Sequence, residues 1–286
     1  MNKFSFSLMI ALALCLSIVL IATDEFSVGQ EFIPNEASQN DSIKAGRSYR
    51  KIETKAFTVG EELTFDVNYG FVTAGEAKMS IPSYQTIFDR KCYQLLFTVN
   101  SKPFFDWMYK VRDRYESLLD IDGLFPWKFE QSIREGGYSK DFVARFDQER
   151  GIAYANEKTY PIPPFVQDIL SAFYFVRSVN YDNYRPGQKM WFKNFYKDTT
   201  YALGVKYCGR QELSVEAGKF KTIILEPLIK EGGLFKASGR ILLWVTDDER
   251  KMPVQVEAEI PIGSITSELT KYKGLAGPLT SRIGDD

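Results

Sequence analysis

Alternation of apolar and polar residues recurs along most of the chain and restricts its fold more than any other feature. In Leu63–Tyr69 every second residue is apolar, which is the period of a half-buried β-strand. Turn dipeptides such as Asp122-Gly123 separate these runs at short intervals, which favour antiparallel neighbours because parallel strands need long crossovers. The pattern predicts further strands at Glu76–Ile81, Cys92–Asn100, Trp107–Leu119, Lys128–Arg134, Asp141–Phe146, Lys189–Tyr196, Tyr201–Tyr207, Phe220–Ile229, Arg240–Thr246, Val254–Ile260 and Ile265–Tyr272.

One segment departs from this alternation. Pro161–Pro164 precedes a run without glycine or proline, from about Phe165 to Val179, and proline is tolerated in a first helical turn. The run predicts a largely buried helix with an apolar stripe at Phe165, Ile169, Phe173 and Val176. We therefore predict a mainly β fold: a large curved antiparallel sheet, barrel or half-barrel with one buried covering helix.

The N-terminal residues carry the pattern of an export signal. Lys3 precedes an uncharged run, Leu8–Ile21, which is typical of a secretory signal and shorter than the roughly 20 apolar residues of a membrane span. We predict a signal peptide at 1–22, with a retained N-terminal anchor as the alternative, and no stable transmembrane segment after cleavage. Residues 23–56 are interpreted as a flexible polar linker, 57–273 as one β-rich domain and 274–286 as a C-terminal tail.

The composition excludes several kinds of chemistry. The 286 residues are 44% hydrophobic, so a sizeable core can form, and 36 basic against 37 acidic residues give no surface suited to nucleic acid. The chain contains no histidine. This absence removes Ser-His-Asp and Cys-His catalysis and every His-ligated metal. We expect no metal site and no cofactor.

Cys92 and Cys208 remain after signal removal, in what should be an oxidising compartment. An even pair there can form a disulfide. Alternatively, both are buried thiols that act as small apolar side chains. The sequence leaves these two interpretations open.

Four separated blocks carry a distinctive combination of residues: GEELTFDVNYGFVTAGEAKM (Gly60–Met79), DRYESLLDIDGLFPWKFEQSIREGGY (Asp113–Tyr138), DILSAFYFVRS (Asp168–Ser178) and LLWVTDDERKMPVQVEAEIPIGSITSEL (Leu242–Leu269). In this order they resemble the exported bacterial family called domain of unknown function 3108. The resemblance implies an exported, mostly β protein, in the periplasm or on the periplasmic face of the Gram-negative envelope, and no established activity. The last block is also similar in pattern to the closing strands of periplasmic lipoprotein carriers, which shelter acyl chains beneath helices.

The charged run Arg112–Glu116 offers one candidate site. Alternation places Arg112, Arg114 and Glu116 on one face of a strand and Asp113 and Tyr115 on the other. A polar site in a concave face is one interpretation. A solvated face with cross-strand ion pairs is the other, and it is the one that the base rate for exposed charges favours.

The predicted helix carries Asp168 near its start and Arg177 near its end. These positions suit the positive and negative ends of the helix dipole, which explains both charges without catalysis. We retain both as candidate binding residues, together with Phe173 of the apolar stripe.

Aromatic residues are dense through the middle of the chain, and most are expected in the core because aromatic residues favour strands. The candidate binding residues among them line an apolar cavity in one interpretation and form a sugar-stacking platform in another. They are Trp107, Tyr109, Tyr115, Trp127 and Trp191.

Three roles follow from these patterns. The first is a non-catalytic carrier-like protein that holds a lipid or other amphipathic ligand, or an envelope protein, in the concave sheet. The second is an enzyme on an envelope polysaccharide that acts through carboxylates or tyrosines, for which two facing acids about 5–10 Å apart in a polar cleft are required. The third is an interaction protein without a small ligand, which predicts a filled interior and an aromatic surface patch. The missing histidine and metal motifs weigh against the enzyme.

Overall fold

The computed structural model describes residues 49–229, 239–260 and 263–284, so the predicted signal peptide at 1–22 and most of the linker lie outside the described residues. The strands are β1 (Glu62–Tyr69), β2 (Val72–Ser80), β3 (Tyr84–Ile87), β4 (Arg90–Ser101), β5 (Arg112–Asp120), β6 (Pro126–Glu135), β7 (Tyr138–Asp147), β8 (Ile152–Ala155), β9 (Lys158–Pro161), β10 (Lys189–Tyr196), β11 (Thr199–Val215), β12 (Gly218–Ile229), β13 (Ile241–Thr246), β14 (Pro253–Glu259), β15 (Ser264–Lys273) and β16 (Arg282–Ile283). The helices are α1 (Pro103–Asp106) and α2 (Ile169–Arg177).

All of these strands belong to one sheet, in the order β10-β11-β12-β13-β14-β15-β1-β2-β4-β5-β6-β7-β8-β9. The short strands β16 and β3 pair with β12 and β4. Every strand pair is antiparallel. The predicted fold class, a large antiparallel sheet with few helices, is confirmed.

The two ends of the sheet are brought together by the chain that leaves β9. The Gln167 N–H donates to the Lys193 carbonyl, and the Phe195 N–H donates to the Gln167 carbonyl, both at 2.8 Å. Because Lys193 and Phe195 lie on β10, at the opposite end of the strand order, this contact requires the sheet to curve round on itself. The curvature leaves an inner face that α2 covers.

Helix α2 is shorter than predicted and begins later. Pro161–Pro164 does not open the helix, and Phe165 adopts a left-handed backbone with φ +58°, so the chain stays non-helical until Asp168. Asp168 is the N-cap: its side chain accepts from the backbone N–H groups of Leu170 and Ser171, and Ser171 completes a capping box. The most buried face of α2 therefore differs from the apolar stripe that the sequence predicted. Ile169 and Phe173 are partly buried, and the fully buried face carries Leu170, Tyr174 and Arg177.

Aromatic side chains pack against each other inside the sheet. Tyr174 packs edge-on against Phe57 with ring centroids 4.9 Å apart, and Phe142 packs against Tyr196 at 5.4 Å. All four side chains are at most 3% exposed. The expectation that most aromatic residues are core residues therefore holds for these four.

The packed body extends beyond residues 57–273. In the segment interpreted as a linker, Tyr49 packs against Phe125 at 5.5 Å, and Arg50 donates to the carbonyls of Gly123 and Leu124. In the predicted tail, Ser281 bonds Asp248 through its N–H and hydroxyl at 3.2 and 2.7 Å. Tyr49, Arg50 and Ser281 are therefore bound to the folded unit.

Candidate functional site

Exposed apolar side chains gather at one end of the sheet, here called the upper end, where the β1–β2 and β4–β5 connections lie. Phe71 is fully exposed, Trp107 is 81% exposed and Phe104 is 76% exposed, with Val72 and Met108 beside them in the sequence. Large exposed apolar groups of this kind mark interaction surfaces when they cluster. We call Phe71, Val72, Phe104, Trp107 and Met108 the aromatic rim.

The two connections that carry the aromatic rim are neighbours in the fold. Strands β2 and β4 pair with Gly75 opposite Ser101. The Lys102 N–H donates to the Ala74 carbonyl at 2.9 Å, and the Lys102 ammonium lies 3.2 Å from Asp66 on β1. These contacts set the β4–β5 connection against the β1–β2 hairpin, so the rim residues lie at the same end of the sheet.

A polar clamp holds the β4–β5 connection in place. Arg112 contacts both carboxylate oxygens of Asp106, at 2.5 and 3.1 Å. The Ser101 hydroxyl also donates to Asp106 and accepts from the Val111 N–H at 2.9 Å. The bonds from Arg112 and Ser101 lower the pKa of the Asp106 carboxyl, so the clamp is ionised at neutral pH. The sequence predicted a strand from Trp107. The strand starts instead at Arg112, because α1 and this clamp occupy the preceding residues.

A buried carboxyl pair lies directly below this connection. Tyr109 reaches Glu135 with its hydroxyl at 3.4 Å from Oε2, and Glu135 contacts Asp113. Burial raises the pKa of Asp113, with the N–H of Arg134 and contact with Glu135 opposing it. Both acids are buried, so they lie together in the interior and do not face each other across a cleft.

The predicted alternation of Arg112–Glu116 is observed. Asp113 and Tyr115 point inward and are at most 2% exposed, whereas Arg114 is exposed and forms an ion pair with Glu116. Tyr115 lies opposite Gln131, whose Oε1 accepts from the Tyr196 hydroxyl at 3.2 Å. Burial raises the pKa of Tyr115 well above its ordinary value. The inward-pointing side chains Asp113 and Tyr115 therefore belong to the polar part of the core.

The two charges of α2 are also internal. Asp168 accepts from the Ser117 hydroxyl at 2.7 Å, and burial raises its pKa to about 6. Arg177 forms a buried ion pair with Glu61. Both candidates are buried and bound to the chain's own groups, and Phe173 packs against the same core.

Trp127 is a core residue at the lower end of the sheet. Its indole N–H donates to Asp120 at 3.0 Å, and Arg90 holds the same carboxylate with two bonds of 2.7 Å. Burial by itself would raise the pKa of Asp120, but these bonds outweigh it and the pKa is lowered. Trp127 is thus held in an internal hydrogen-bond network.

Cys92 and Cys208 are free thiols, so the predicted alternative of a disulfide is not formed. Cys92 lies on β4 and Cys208 on β11, strands that are not neighbours in the sheet. Cys92 is fully buried beside Phe125 and Trp127, as a small apolar side chain would be. Cys208 is half-buried near Glu226 and Arg240.

A polar cleft of about 710 Å³ opens at the C-terminal end of α2. Acids from the predicted turns, Asp247, Asp248 and Glu249, line it together with Lys55 and Lys251. Asp248 is committed to the fold through Thr246 and Ser281, and Lys55 pairs with Glu249 at 3.1 Å. Within the described ranges, no group of three or more acids or cysteines has the geometry of a metal site.

Sequence reasoning found Trp107 but missed its neighbours in the rim. Phe71 follows Gly70, whose φ of +58° marks a hairpin tip, and Phe104 follows Pro103 at the start of α1. An aromatic residue directly after a turn-forming glycine or proline was the signal available. Across residues 49–229, 239–260 and 263–284, no helix has the length and apolar character needed to cross a bilayer.

The fold and these surfaces define a class: curved, all-antiparallel single-sheet proteins covered by a short helix. A family model described as "Protein of unknown function (DUF3108)" matches residues 64–270. The chain belongs to this family, as the four sequence blocks suggested. A search of curated proteins found no match.

Solved structures with related shapes are known. A beta-barrel-like protein of domain of unknown function DUF1849 from Brucella abortus has a TM-score of 0.48 at 10% identity, covering 75% of this chain and 97% of that chain. A protein described as exported, with a YmcC-like fold, from Bacteroides fragilis has a TM-score of 0.33 at 10% identity, covering 79% and 100%. A protein described as a lipoprotein from Parabacteroides distasonis has a TM-score of 0.34 at 8% identity, covering 79% and 100%.

Proposed function

We propose that this chain is an exported, non-catalytic binding protein of the bacterial envelope that docks on lipid bilayers through the aromatic rim. The observation that carries the proposal is the joint exposure of Phe71, Phe104 and Trp107 on two connections that are fastened to each other. The N-terminal export pattern supports a location where bilayers are the nearest large apolar surfaces.

The chemistry of the rim suits a bilayer interface. Tryptophan and other aromatic side chains favour the boundary between headgroups and acyl chains, and lysine favours the headgroup level. Two acids of this end have basic partners, since Asp66 pairs with Lys102 and Asp106 pairs with Arg112. Lys110 is exposed, and among the described residues it forms no ion pair, which leaves a positive charge beside Trp107. The charge complements an anionic headgroup.

The shape of the rim supports the same partner. Its side chains stand on the tips of a hairpin and a one-turn helix, so they project and can enter a flat interface together. Fully burying each such side chain is worth roughly 1.5–3 kcal/mol. Three such side chains therefore supply about 4.5–9 kcal/mol, which is comparable with the lower part of the cost of association and is consistent with weak, reversible docking.

The two other roles have less support. The buried pairs Tyr174–Phe57 and Phe142–Tyr196 belong to one apolar core cluster inside the sheet, where a carrier would hold its ligand. The acids Asp113 and Glu135 are in contact inside the core, whereas glycoside hydrolysis needs two acids separated across a sugar bond.

Vesicle co-sedimentation tests the proposal. The native domain is mixed with vesicles of phosphatidylethanolamine and phosphatidylglycerol at 3:1, beside the double variant Phe104→Ser/Trp107→Ser. We expect native protein to pellet with vesicles and the rim variant to lose at least tenfold in partition coefficient. Vesicles of phosphatidylcholine alone should bind about fivefold more weakly, because one lysine near an anionic surface contributes about 1 kcal/mol.

The chain offers a matched control. Phe88→Ser/Trp191→Ser removes a 64% exposed Phe and a 50% exposed Trp that lie away from the upper end. This variant should partition within twofold of native. Native protein that stays in the supernatant, or a rim variant that pellets as native does, would contradict docking through the rim.

A further inference from the structure

The outer face of β10 carries a second exposed tryptophan in a different chemical setting. Lys189, Trp191 and Lys193 occupy alternate positions of this strand and are all exposed, while Met190 and Phe192 between them are partly buried. Phe192 packs against Phe175 of α2, with ring centroids 5.8 Å apart. Phe192 therefore points to the inner face of the sheet, which α2 covers. Trp191 therefore stands on the solvent face with one lysine on each side.

The neighbouring strand makes room for the indole. Trp191 lies opposite Gly204 in the register of β10 and β11, and a Cβ at Gly204 would lie only 2.7–2.9 Å from the six-membered ring. The ring therefore lies flat against the backbone of Gly204, with its other face open. Lys193 lies opposite Ala202, so the side chain next to the ring on that side is small. The result is a depression of about 470 Å³ lined by Trp191, Phe192, Lys193 and Ala202.

The positive charges beside the ring are available to a ligand. Lys206, opposite Lys189, is held by Glu226 at 2.6 Å, and Arg240 holds the same carboxylate at 2.9 Å. Glu226 is thereby neutralised. In the part of the chain that the structure describes, neither Lys189 nor Lys193 takes part in an ion pair.

We propose that this face is a binding site for an acidic saccharide, a sugar chain bearing carboxylates. The C–H face of a sugar ring stacks on a flat, open indole, whose negative π-face attracts the slightly positive hydrogens. The two lysines start about 6.6–6.8 Å from Trp191 along the strand, on opposite sides. Their flexible ammonium groups bind carboxylates on the stacked residue or on the next one.

Other occupants fit this face less well. A bilayer favours several apolar groups projecting together, whereas this face offers one ring in a depression. A neutral sugar would stack but would leave both ammonium groups without a partner. The combination of one rigid ring and two flanking cations selects a ligand that is apolar on one face and anionic at its edges. This site is independent of the aromatic rim.

Isothermal titration of the native domain with tri-galacturonate, and with neutral cellotriose as the comparison, tests the proposal. We expect tri-galacturonate to bind at least tenfold more tightly than cellotriose. Trp191→Ala should weaken tri-galacturonate binding at least tenfold, while Trp191→Phe, which keeps a flat ring, should lose less than threefold. Lys189→Gln/Lys193→Gln should bring the two sugars to within threefold of each other.

Trp107→Ser is the matched control, because it removes an exposed tryptophan from the upper end and should leave sugar binding unchanged. Thermal unfolding of each variant checks that the sheet is intact, and Trp191→Phe keeps the test decisive if Trp191→Ala unfolds. No binding of tri-galacturonate, equal binding by Trp191→Ala, or equal affinity for both sugars in the native chain would overturn the proposal. Loss of vesicle binding in Trp191→Ala without any sugar binding would assign the face to lipid and overturn it too.

Discussion

Arg177 at the end of α2 and Glu61 just before β1 form a bidentate ion pair of 2.7 and 2.8 Å, and both side chains are fully buried. Arg177 also donates to the carbonyls of Ala56, Arg250 and Lys251. One side chain thus fastens the helix to the strand that opens the domain and to the β13–β14 turn. From the sequence, Arg177 is explained by the helix dipole alone. The dipole does not account for the buried ion pair with Glu61 or for the three carbonyl contacts.

Removing one partner of this pair should be strongly destabilising. Glu61→Gln leaves a buried guanidinium without its counter-charge, and breaking such pairs costs about 3–5 kcal/mol. Urea unfolding followed by circular dichroism measures the free energy of unfolding. The exposed pair Lys219–Glu212 provides the control, because Glu212→Gln should change stability by no more than about 1 kcal/mol. A Glu61→Gln variant as stable as Glu212→Gln would contradict the structural role of the pair.

Asp168 should make stability depend on pH. Its pKa is raised by burial from 3.8 to about 6, so the folded state holds a proton that the unfolded state has released between these values. Stability contributed by this group is therefore present below about pH 4 and is lost as the pH rises to 6, by roughly 3 kcal/mol. Asp168→Asn keeps the capping oxygen and removes the charge. The native-minus-variant difference in unfolding free energy should fall across pH 4–7, and a constant difference would contradict it.

Most of the strands were predictable because alternation is local, and β10 was predicted with its observed bounds, but the short strands β3, β8, β9 and β16 were not predicted. Two of the boundaries that were missed have clear physical reasons. Pro161–Pro164 suggested a helix start, but the left-handed Phe165 and the pairing of Gln167 with β10 delay the helix to Asp168. The aromatic run at Trp107 suggested a strand, because aromatic residues favour strands. Before Arg112, α1 and the polar clamp formed with Asp106 determine the local structure, so the strand starts only at Arg112.

The candidate sites were less predictable because their partners are distant in sequence. Glu61 and Arg177 are 116 residues apart, and no local pattern indicates that they meet. The alternation around Arg112 did predict which charges share a face of the strand. The rim could not be inferred, because the exposure of Phe71 and Phe104 depends on which strand ends become neighbours.

Phe173→Asp should destabilise the domain by about 3–5 kcal/mol. Phe173 is partly buried, yet it packs against both the main core and the smaller cluster around Tyr181 and Tyr207, so a carboxylate there loses packing and lacks a partner. Phe173→Leu keeps an apolar side chain and should cost less than about 2 kcal/mol. Thermal and urea unfolding of both variants check this, and unchanged melting of Phe173→Asp would show that α2 does not seal the core.

The two thiols should react at different rates. Burial raises the pKa of Cys92 to about 12, and burial together with Glu226 raises the pKa of Cys208. Because the thiolate is the reactive form, iodoacetamide at pH 8 should label Cys208 slowly and Cys92 only after unfolding. Mass spectrometry of protein beginning after residue 22 should give two labels in denaturant without reductant. Labels that appear only after reduction would establish the disulfide that the structure lacks.

The Asp106–Arg112 clamp should control vesicle docking without controlling overall stability. Arg112→Gln removes the bidentate contact and frees the connection that carries Phe104 and Trp107, so ordering this loop at the bilayer becomes part of the cost of binding. We expect vesicle partition to fall about threefold to tenfold while thermal unfolding stays close to native. Protease cleavage between Lys102 and Lys110 should become faster. Arg114→Gln is the control, because its ion pair with Glu116 lies on the same face of β5 but supports no part of the rim. If Arg112→Gln and Arg114→Gln both bind vesicles as native protein does, docking does not depend on the clamp. The rim side chains would then become ordered only at the vesicle surface.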